Sequence, residues 1–206
     1  MKSKSEKGSK IAVIIMLVLL IAWGIWKISK RWKGGSSVVL TSYWKIPDFN
    51  LTERSSKKLS LKDLENNIWV ANFFHTNCGN PCRKINLQMS MLQKSYENIN
   101  NVKLISISLD PERDTPEVLT NFANKYLAPK SRWYFLTGDK NTVYTLVLNG
   151  FKLGIMQLQD KNTIPYSSKF VLVDNRGMVR GFFDGENDKS MRMLQISIKT
   201  LLGESK

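Results

Sequence analysis

The stretch Trp69–Cys82, WVANFFHTNCGNPC, contains the clearest secondary-structure pattern of this 206-residue chain. Its first half, Trp69–Phe74, is apolar and rich in residues that favour strands, which predicts a buried β-strand. Its second half leads into a helix predicted to run from near Pro81 to Tyr96, since Pro is favoured in a first helical turn. Three apolar side chains of this helix recur at i, i+4 and i+7, namely Ile85, Met89 and Leu92. The stretch therefore predicts a strand, a short loop and a helix.

Cys78 and Cys82 are the only cysteines of the chain, and they lie where the predicted loop becomes the helix. Backbone amides and the helix dipole stabilise a thiolate at this position. A thiolate is the nucleophile of disulfide exchange and also a soft ligand for Cu(I). The four-residue separation brings both sulfurs to one side of the first turn, where they can form a disulfide or bind one ion. The alternative is a pair of inert, buried structural cysteines.

Outward from this stretch, strands and helices alternate along the chain. Val102–Leu109 is a predicted strand, and Thr115-Pro116-Glu117 predicts a helix start with a hydroxyl N-cap, a proline and an acid. The other predicted elements are an extended Ile46–Leu51, a helix start at Ser60 with Asp63 as capping acid, a strand Trp133–Leu136, a helix Thr142–Leu148, a hairpin of Phe170–Val173 and Met178–Phe183 around Asn175-Arg176-Gly177, and a last helix Ser190–Leu202. This order predicts an α/β fold with a mixed sheet.

The N-terminal part is predicted to anchor the protein in a membrane. Ile11–Trp26 is an unbroken apolar run of 16 residues, or about 24 Å of helix. A cleaved signal peptide is the alternative, but the run ends in Trp-Gly-Ile-Trp-Lys rather than in small residues. We therefore predict a polar tail (1–10), a transmembrane anchor (11–27), a basic and then Gly/Ser-rich linker (28–42) and a folded domain (43–206).

Charge and composition exclude two function classes. The chain has 31 Lys and Arg against 17 acidic residues, a net charge of +14, but no basic stripe with interleaved aromatic residues, so we predict no nucleic-acid partner. A closed structural zinc site needs four Cys or His ligands. The chain offers three, Cys78, Cys82 and His75.

Five collinear segments resemble the Sco/SenC family of thioredoxin-fold proteins over residues 43–203. They are Ile46–Phe49 (IPDF), Val70–Cys82 (VANFFHTNCGNPC), Ile107–Leu119 (ISLDPERDTPEVL), Trp133–Asp139 (WYFLTGD) and Lys169–Gly177 (KFVLVDNRG). The resemblance implies a thioredoxin-like domain behind an N-terminal anchor. It also implies that the protein holds copper on the outer face of a membrane and assists assembly of the copper site of cytochrome c oxidase. In this family that help is given by delivering copper or by reducing the cysteines of the oxidase subunit.

The chain departs from the family at one metal ligand. The family site uses two cysteines and a histidine just before a late strand, and Tyr166 occupies the place of that histidine. A phenol, with a pKa near ~10, is a poor ligand for Cu(I), which prefers sulfur and imidazole. Cys78 and Cys82 are therefore carried over as ligands and redox residues. His75, the only histidine, is either a substitute ligand or proton carrier, or a strand-end residue packed against its neighbours.

Two further segments are expected near the cysteines. Asp110, Glu112 and Asp114 follow the second strand, at the sheet edge where such sites lie. Asp110 is a candidate for tuning the cysteines or an approaching partner. The alternative is that Asp110-Pro111 and Asp114-Thr115-Pro116 only shape the turn and cap the next helix, which is the expectation for Asp114 in particular. Thioredoxin folds often place a cis-proline opposite the cysteines, and Ile164-Pro165 precedes the matching strand, although the offset is a few residues too long.

Two functions from different classes remain open at this stage. One is a copper metallochaperone, which is not an enzyme, and the other is a thiol–disulfide oxidoreductase without copper cargo, which the missing histidine favours. A copper or redox sensor is a third reading, disfavoured because no second domain is present to relay a signal. The predicted partners are the copper-site subunit of cytochrome c oxidase or another thiol protein. The short, Arg-poor N-terminus favours a bacterial inner membrane with the domain on the periplasmic or outer face.

Overall fold

The structure is a computed structural model that describes residues 15–27, 39–154 and 166–204. It contains two units: a helix, α1 (residues 15–27), and a folded domain formed by the other described residues. Residues 11–14 of the predicted anchor lie outside the described residues. Within the described parts, no helix combines the length and the hydropathy needed to cross a bilayer.

One sheet of seven strands forms the centre of the described domain, in the order β2-β1-β5-β4-β3-β6-β7. The strands are β1 (Asn50–Glu53), β2 (Lys58–Ser60), β3 (Ile68–Phe74), β4 (Val102–Ser108), β5 (Trp133–Thr137), β6 (Ser167–Val173) and β7 (Val179–Asp184). The three central strands β3, β4 and β5 are parallel, whereas the outer pairs are antiparallel. The predicted α/β fold with a mixed sheet is confirmed.

Helices cover both faces of the sheet. They are α2 (Asn80–Ser95), α3 (Pro116–Lys125), α4 (Lys140–Thr145) and α5 (Asp188–Glu204), with a 3-10 turn at Leu61–Leu64 and a π-helical turn at Leu146–Gly150. The apolar sides of α2, α3 and α5 belong to one hydrophobic core, and α4 with the two short turns belongs to the other. This is the arrangement of a thioredoxin-like domain.

Strand β3 is buried along its whole length because it lies between these two cores. Val70 and Phe74 point to the core under α2, while Ala71 and Phe73 point to the opposite core. Successive side chains of a strand alternate between faces, so a central strand covered on both faces is apolar at nearly every position. This burial fixes the end of β3, and with it the place where the cysteine loop begins.

Local signals explain several element boundaries. The Asp63 carboxylate accepts hydrogen bonds from the Ser60 backbone amide at 2.7 Å and from its hydroxyl at 2.6 Å, which confirms the predicted capping pair. Gly177 has a φ of +79° in the β6–β7 turn, a conformation that favours glycine. Helix α4 begins two residues earlier than predicted, because Asp139 accepts a hydrogen bond from the Thr142 amide at 2.9 Å and caps it.

Candidate functional site

Cys78 and Cys82 meet in a disulfide at the start of α2. Their Cα atoms are 5.6 Å apart. Cys78 lies in the loop after β3 and is partly exposed, whereas Cys82 lies in the first turn of α2 and is 2% exposed. The two sulfurs are therefore not equivalent, because Cys78 is the one that another molecule can approach.

The N-terminus of α2 is free to stabilise negative charge on sulfur. Gly79 is the N-cap residue, and among the described residues no side chain forms a capping hydrogen bond. Its first turn contains no acidic residue and carries Arg83. Because the first amides of a helix lack intrahelical partners, they are available to a thiolate at Cys78 once the disulfide is reduced.

The loop between β3 and Cys78 is held by Asp114, a residue of the second motif. The fully buried Asp114 carboxylate accepts hydrogen bonds from the Thr76 amide at 3.1 Å, the Thr76 hydroxyl at 2.5 Å and the Ser108 hydroxyl at 2.5 Å. The expectation that Asp114 caps the next helix was wrong, since Thr115 is the N-cap and accepts from the Val118 amide at 3.3 Å. The two sequence motifs are thus physically joined.

His75 and Asp110 lie side by side where β3 and β4 end. The Leu109 amide donates to the Phe74 carbonyl at 2.7 Å, which brings the following residues of both strands together. His75 is buried, and its Nδ1 has no hydrogen-bond partner among the described residues. Burial lowers the pKa of His75, partly offset by the nearby charges of Asp114 and Asp110. This lowering of the pKa favours the neutral imidazole, which is the form that binds metals or accepts protons.

The Asp110 carboxylate is also buried. Burial raises its pKa, and the negative charge of Asp114 adds to the effect. Arg113 opposes this rise through an ion pair, with its Nε 3.7 Å from Asp110 Oδ2. That oxygen has no hydrogen-bond partner among the described residues. Asp110 acts electrostatically on His75, and the predicted tuning of the cysteines by Asp110 stays a prediction.

A buried chain of hydrogen bonds behind Cys82 was not predicted from the sequence. The Trp133 indole donates to the Ser106 hydroxyl at 2.8 Å, and Ser106 donates to Asn72 Oδ1 at 2.6 Å. Asn72 contacts Asn86 Oδ1 at 3.4 Å, and Asn86 donates to the Cys82 carbonyl at 2.9 Å. A polar Asn72 inside the apolar run WVANFF was the available signal, because a buried amide needs partners.

Tyr166 stands one residue before β6 and is 37% exposed. Ser167 pairs with Phe73, so the backbone of Tyr166 lies at the end of β3 from which the cysteine loop departs. Pro165 lies outside the described residues. Within the described parts, no three or more His, Cys, Asp or Glu side chains are grouped so as to hold a metal ion. The two sulfurs, which are bonded to each other, are therefore the soft donors that the structure brings together here, and it does not bring the His75 side chain into a three-residue group with them.

The sequence of this chain is similar to those of known proteins over nearly the whole folded domain. The sequence model of the family SCO1/SenC matches residues 42–201. The chain belongs to the SCO1/SenC family. The SCO1 protein homolog of Bacillus subtilis strain 168 is 32% identical over 155 residues, which cover 74% of this chain and 80% of that protein.

Solved structures of SCO1/SenC proteins share the fold. A SCO1/SenC family lipoprotein from Bacillus anthracis has a TM-score of 0.70 and 28% identity, covering 77% of this chain and 95% of that one. BsSco, described as a member of the Sco family of cytochrome c oxidase assembly proteins, has a TM-score of 0.68 and 29% identity, covering 80% and 96%. The recognised family and the thioredoxin-like fold are therefore confirmed.

Proposed function

We propose that this SCO1/SenC protein assists assembly of the copper site of cytochrome c oxidase, with Cys78 and Cys82 as its working residues. The observation that carries the proposal is a cysteine pair at an uncapped helix N-terminus, with one sulfur accessible and one buried. BsSco, which is 29% identical to this chain, is described as an oxidase assembly protein in which a disulfide switch was identified. A pair that alternates between a disulfide and two thiols fits the same role here.

In the reduced state, the two thiolates supply the soft donors that Cu(I) prefers. Copper is the cargo in this proposal, and Cys78 and Cys82 hold it on one side of the first turn of α2. His75 is the candidate third ligand, because its neutral imidazole is buried and its Nδ1 has no partner among the described residues. In the oxidised state both sulfurs are bonded to each other, so copper binding first requires two electrons from a thiol reductant.

The second candidate is thiol–disulfide exchange without copper, which would make the protein an oxidoreductase. The observation that favours it is Tyr166, which stands where the family resemblance places a histidine ligand. Exchange needs only the two sulfurs. The partly exposed Cys78 would attack a disulfide of the partner, and the buried Cys82 would then release the partner by attacking Cys78.

We further propose that residues 11–27 anchor the chain in a bacterial inner membrane, with the domain on the periplasmic or outer face. The apolar run supports the anchor, and the Bacillus anthracis relative is described as a lipoprotein. Carbonate extraction and protease treatment of spheroplasts test this placement. The chain should stay in the membrane pellet, and its domain should be digested from outside. Release by carbonate, or protection of the domain, would contradict the placement.

The assembly role is tested in a bacterium whose own SCO1/SenC gene is deleted. Wild-type chain should restore cytochrome c oxidase activity and copper content, whereas Cys78→Ala and Cys82→Ala should not. Lys199→Gln, an exposed change on α5, serves as the matched control and should restore both. Restoration by the cysteine variants would contradict the role assigned to the pair.

A further inference from the structure

A cleft opens beside the disulfide, between α2 and α3. Its volume is about 490 Å³. The residues that line it include Cys78, Arg83, Leu87, Phe122, Lys125 and Tyr126. Cys78, the accessible sulfur, lies at this cleft, so a molecule that reacts with Cys78 must enter or cross it.

The cleft is positively charged. Arg83 on α2 and Lys125 on α3 are exposed, and neither side chain forms an ion pair with a described residue. Lys125 Nζ lies 6.0 Å from the centre of the Phe122 ring, and Arg83 acts electrostatically on Tyr126. No acidic side chain is among the described residues that line the cleft. Two unpaired cations on opposite walls favour an acidic group between them.

The apolar part of the cleft continues along α2. Phe122 and Tyr126 pack with ring centres 5.2 Å apart and form one wall. Leu87 of α2 also lines the cleft and is 49% exposed. Met91, further along α2 and beyond the cleft lining, is 60% exposed. They lie one turn apart on the same face of α2, since residues at i and i+4 are neighbours on a helix. Exposed apolar side chains in this arrangement are suited to contact with a partner.

We propose that this cleft binds an extended segment of the partner protein that carries an acidic residue next to its reacting cysteine and apolar residues beyond it. The inference rests on the proposed function and adds a partner chemistry to it. Leu87 follows Arg83 by four residues and Met91 by eight, about 6 and 12 Å along the helix at ~1.5 Å per residue. An extended peptide covers these distances in about two and four residues at ~3.3 Å each. The matching segment therefore has apolar side chains about two and four positions after the acidic one.

The covalent step is thiol exchange through Cys78. The probe is a synthetic peptide whose single cysteine carries a neutral 2-thiopyridyl group as a mixed disulfide. The Cys78 thiolate attacks the peptide sulfur, the old S–S bond breaks, and 2-thiopyridone leaves with one proton. The Cys82 thiolate then attacks Cys78, and the peptide leaves as a thiol. The protein pair is oxidised by two electrons, and the peptide disulfide is reduced by two.

The experiment compares two peptides with the reduced full-length chain in non-ionic detergent. One has glutamate next to the cysteine and leucine two and four positions further, and the other has lysine in place of the glutamate. For each protein, the rate of 2-thiopyridone release from a peptide is divided by the rate with neutral dithiodipyridine. This ratio removes differences in the reactivity of the Cys78 thiol between the wild-type chain and its variants. We expect the acidic peptide to react roughly tenfold faster at low salt, with a smaller advantage at high salt.

Matched variants identify the cations. In Arg83→Gln/Lys125→Gln the two peptides should react at nearly equal relative rates. Arg192→Gln/Lys199→Gln, which removes the same charges from exposed positions of α5, should keep the preference. Equal rates in the wild-type chain, or a preference that persists without Arg83 and Lys125, would overturn the inference. Failure of the proposed function has a different signature, because the wild-type chain would then fail to restore cytochrome c oxidase in the deletion strain whichever peptide reacts faster.

Discussion

Asp114 and Thr76 are joined by two hydrogen bonds, one from the Thr76 amide at 3.1 Å and one from its hydroxyl at 2.5 Å. The two residues are 38 positions apart in the sequence. These hydrogen bonds connect two segments: the loop that contains Cys78, and the turn before α3. The loop that leads to Cys78 is therefore held in place by a buried carboxylate from the second motif.

Replacing Asp114 with asparagine should destabilise the protein by about 2–4 kcal/mol, because a charged acceptor of three hydrogen bonds is lost in a buried site. Chemical denaturation of the reduced chain, followed by circular dichroism, measures this change. Glu117→Gln is the matched control in the same region, since Glu117 is exposed in the first turn of α3, and it should cost less than about 1 kcal/mol. Equal losses in both variants would contradict the role of Asp114.

In the reduced protein, Cys78 should react with alkylating reagents much faster than Cys82. Cys78 is partly exposed at the start of α2, whereas Cys82 is 2% exposed in the hydrophobic core. Brief labelling with a limiting amount of iodoacetamide, followed by peptide mass spectrometry, gives the ratio. Preferential labelling of Cys82 would show that the attacking and resolving roles are reversed.

Stability should fall as the pH decreases below the ordinary His75 pKa of 6.5. Burial lowers the pKa of His75 in the folded state, so between the two values the unfolded chain binds more protons than the folded one. The free energy of unfolding therefore decreases as the pH falls. Asp110 has the opposite effect in a more acidic range. Its folded-state pKa is raised above the ordinary value of 3.8, so the folded chain binds a proton at a higher pH than the unfolded chain does, and this contribution to stability increases as the pH falls.

The test is denaturation of wild type and His75→Gln between about pH 5 and pH 8, the range in which histidine titrates. The His75→Gln curve should be flatter than that of wild type in this range. The neighbours Asp110, Asp114 and Arg113 are present in both proteins, so the comparison removes only the imidazole. Parallel curves would show that His75 is not the group responsible.

Tyr166→His should tighten Cu(I) binding only modestly if copper is the native cargo, because two thiolates already form a competent site. Competition with a Cu(I) chelator under anaerobic conditions measures the affinity. Tyr166→Phe is the control, since it removes the hydroxyl without adding a ligand, and it should bind as wild type does. Binding that appears only in Tyr166→His would favour the thiol–disulfide oxidoreductase.

Local patterns predicted the core of this structure well. The apolar run of β3, the helix start at α2 and the Thr115-Pro116 start of α3 each depend on neighbours in sequence, and all three are confirmed. Strand β2 was not predicted, because its three residues carry no pattern of their own and depend on pairing with β1.

Contacts between distant residues explain what the sequence could not predict in the site. The hydrogen bond from Ser106 to Asn72 spans 34 positions, and the one from Thr76 to Asp114 spans 38. Both depend on β3 and β4 being parallel neighbours in register. The cysteine pair was predictable because its spacing and its place before a helix are local features. For His75 the sequence left two readings open, a ligand or proton carrier and a strand-end residue packed against its neighbours. The structure shows it buried, with charged neighbours from the turn after β4 that are distant in sequence.

An anaerobic Cu(I) titration of the fully reduced full-length chain tests whether Cys78 and Cys82 hold copper together. With a competing chelator present, we expect one Cu(I) bound per chain in wild type, and loss of that binding in Cys78→Ala/Cys82→Ala. Binding that survives in the double variant, or negligible binding in wild type, would contradict copper binding by the pair.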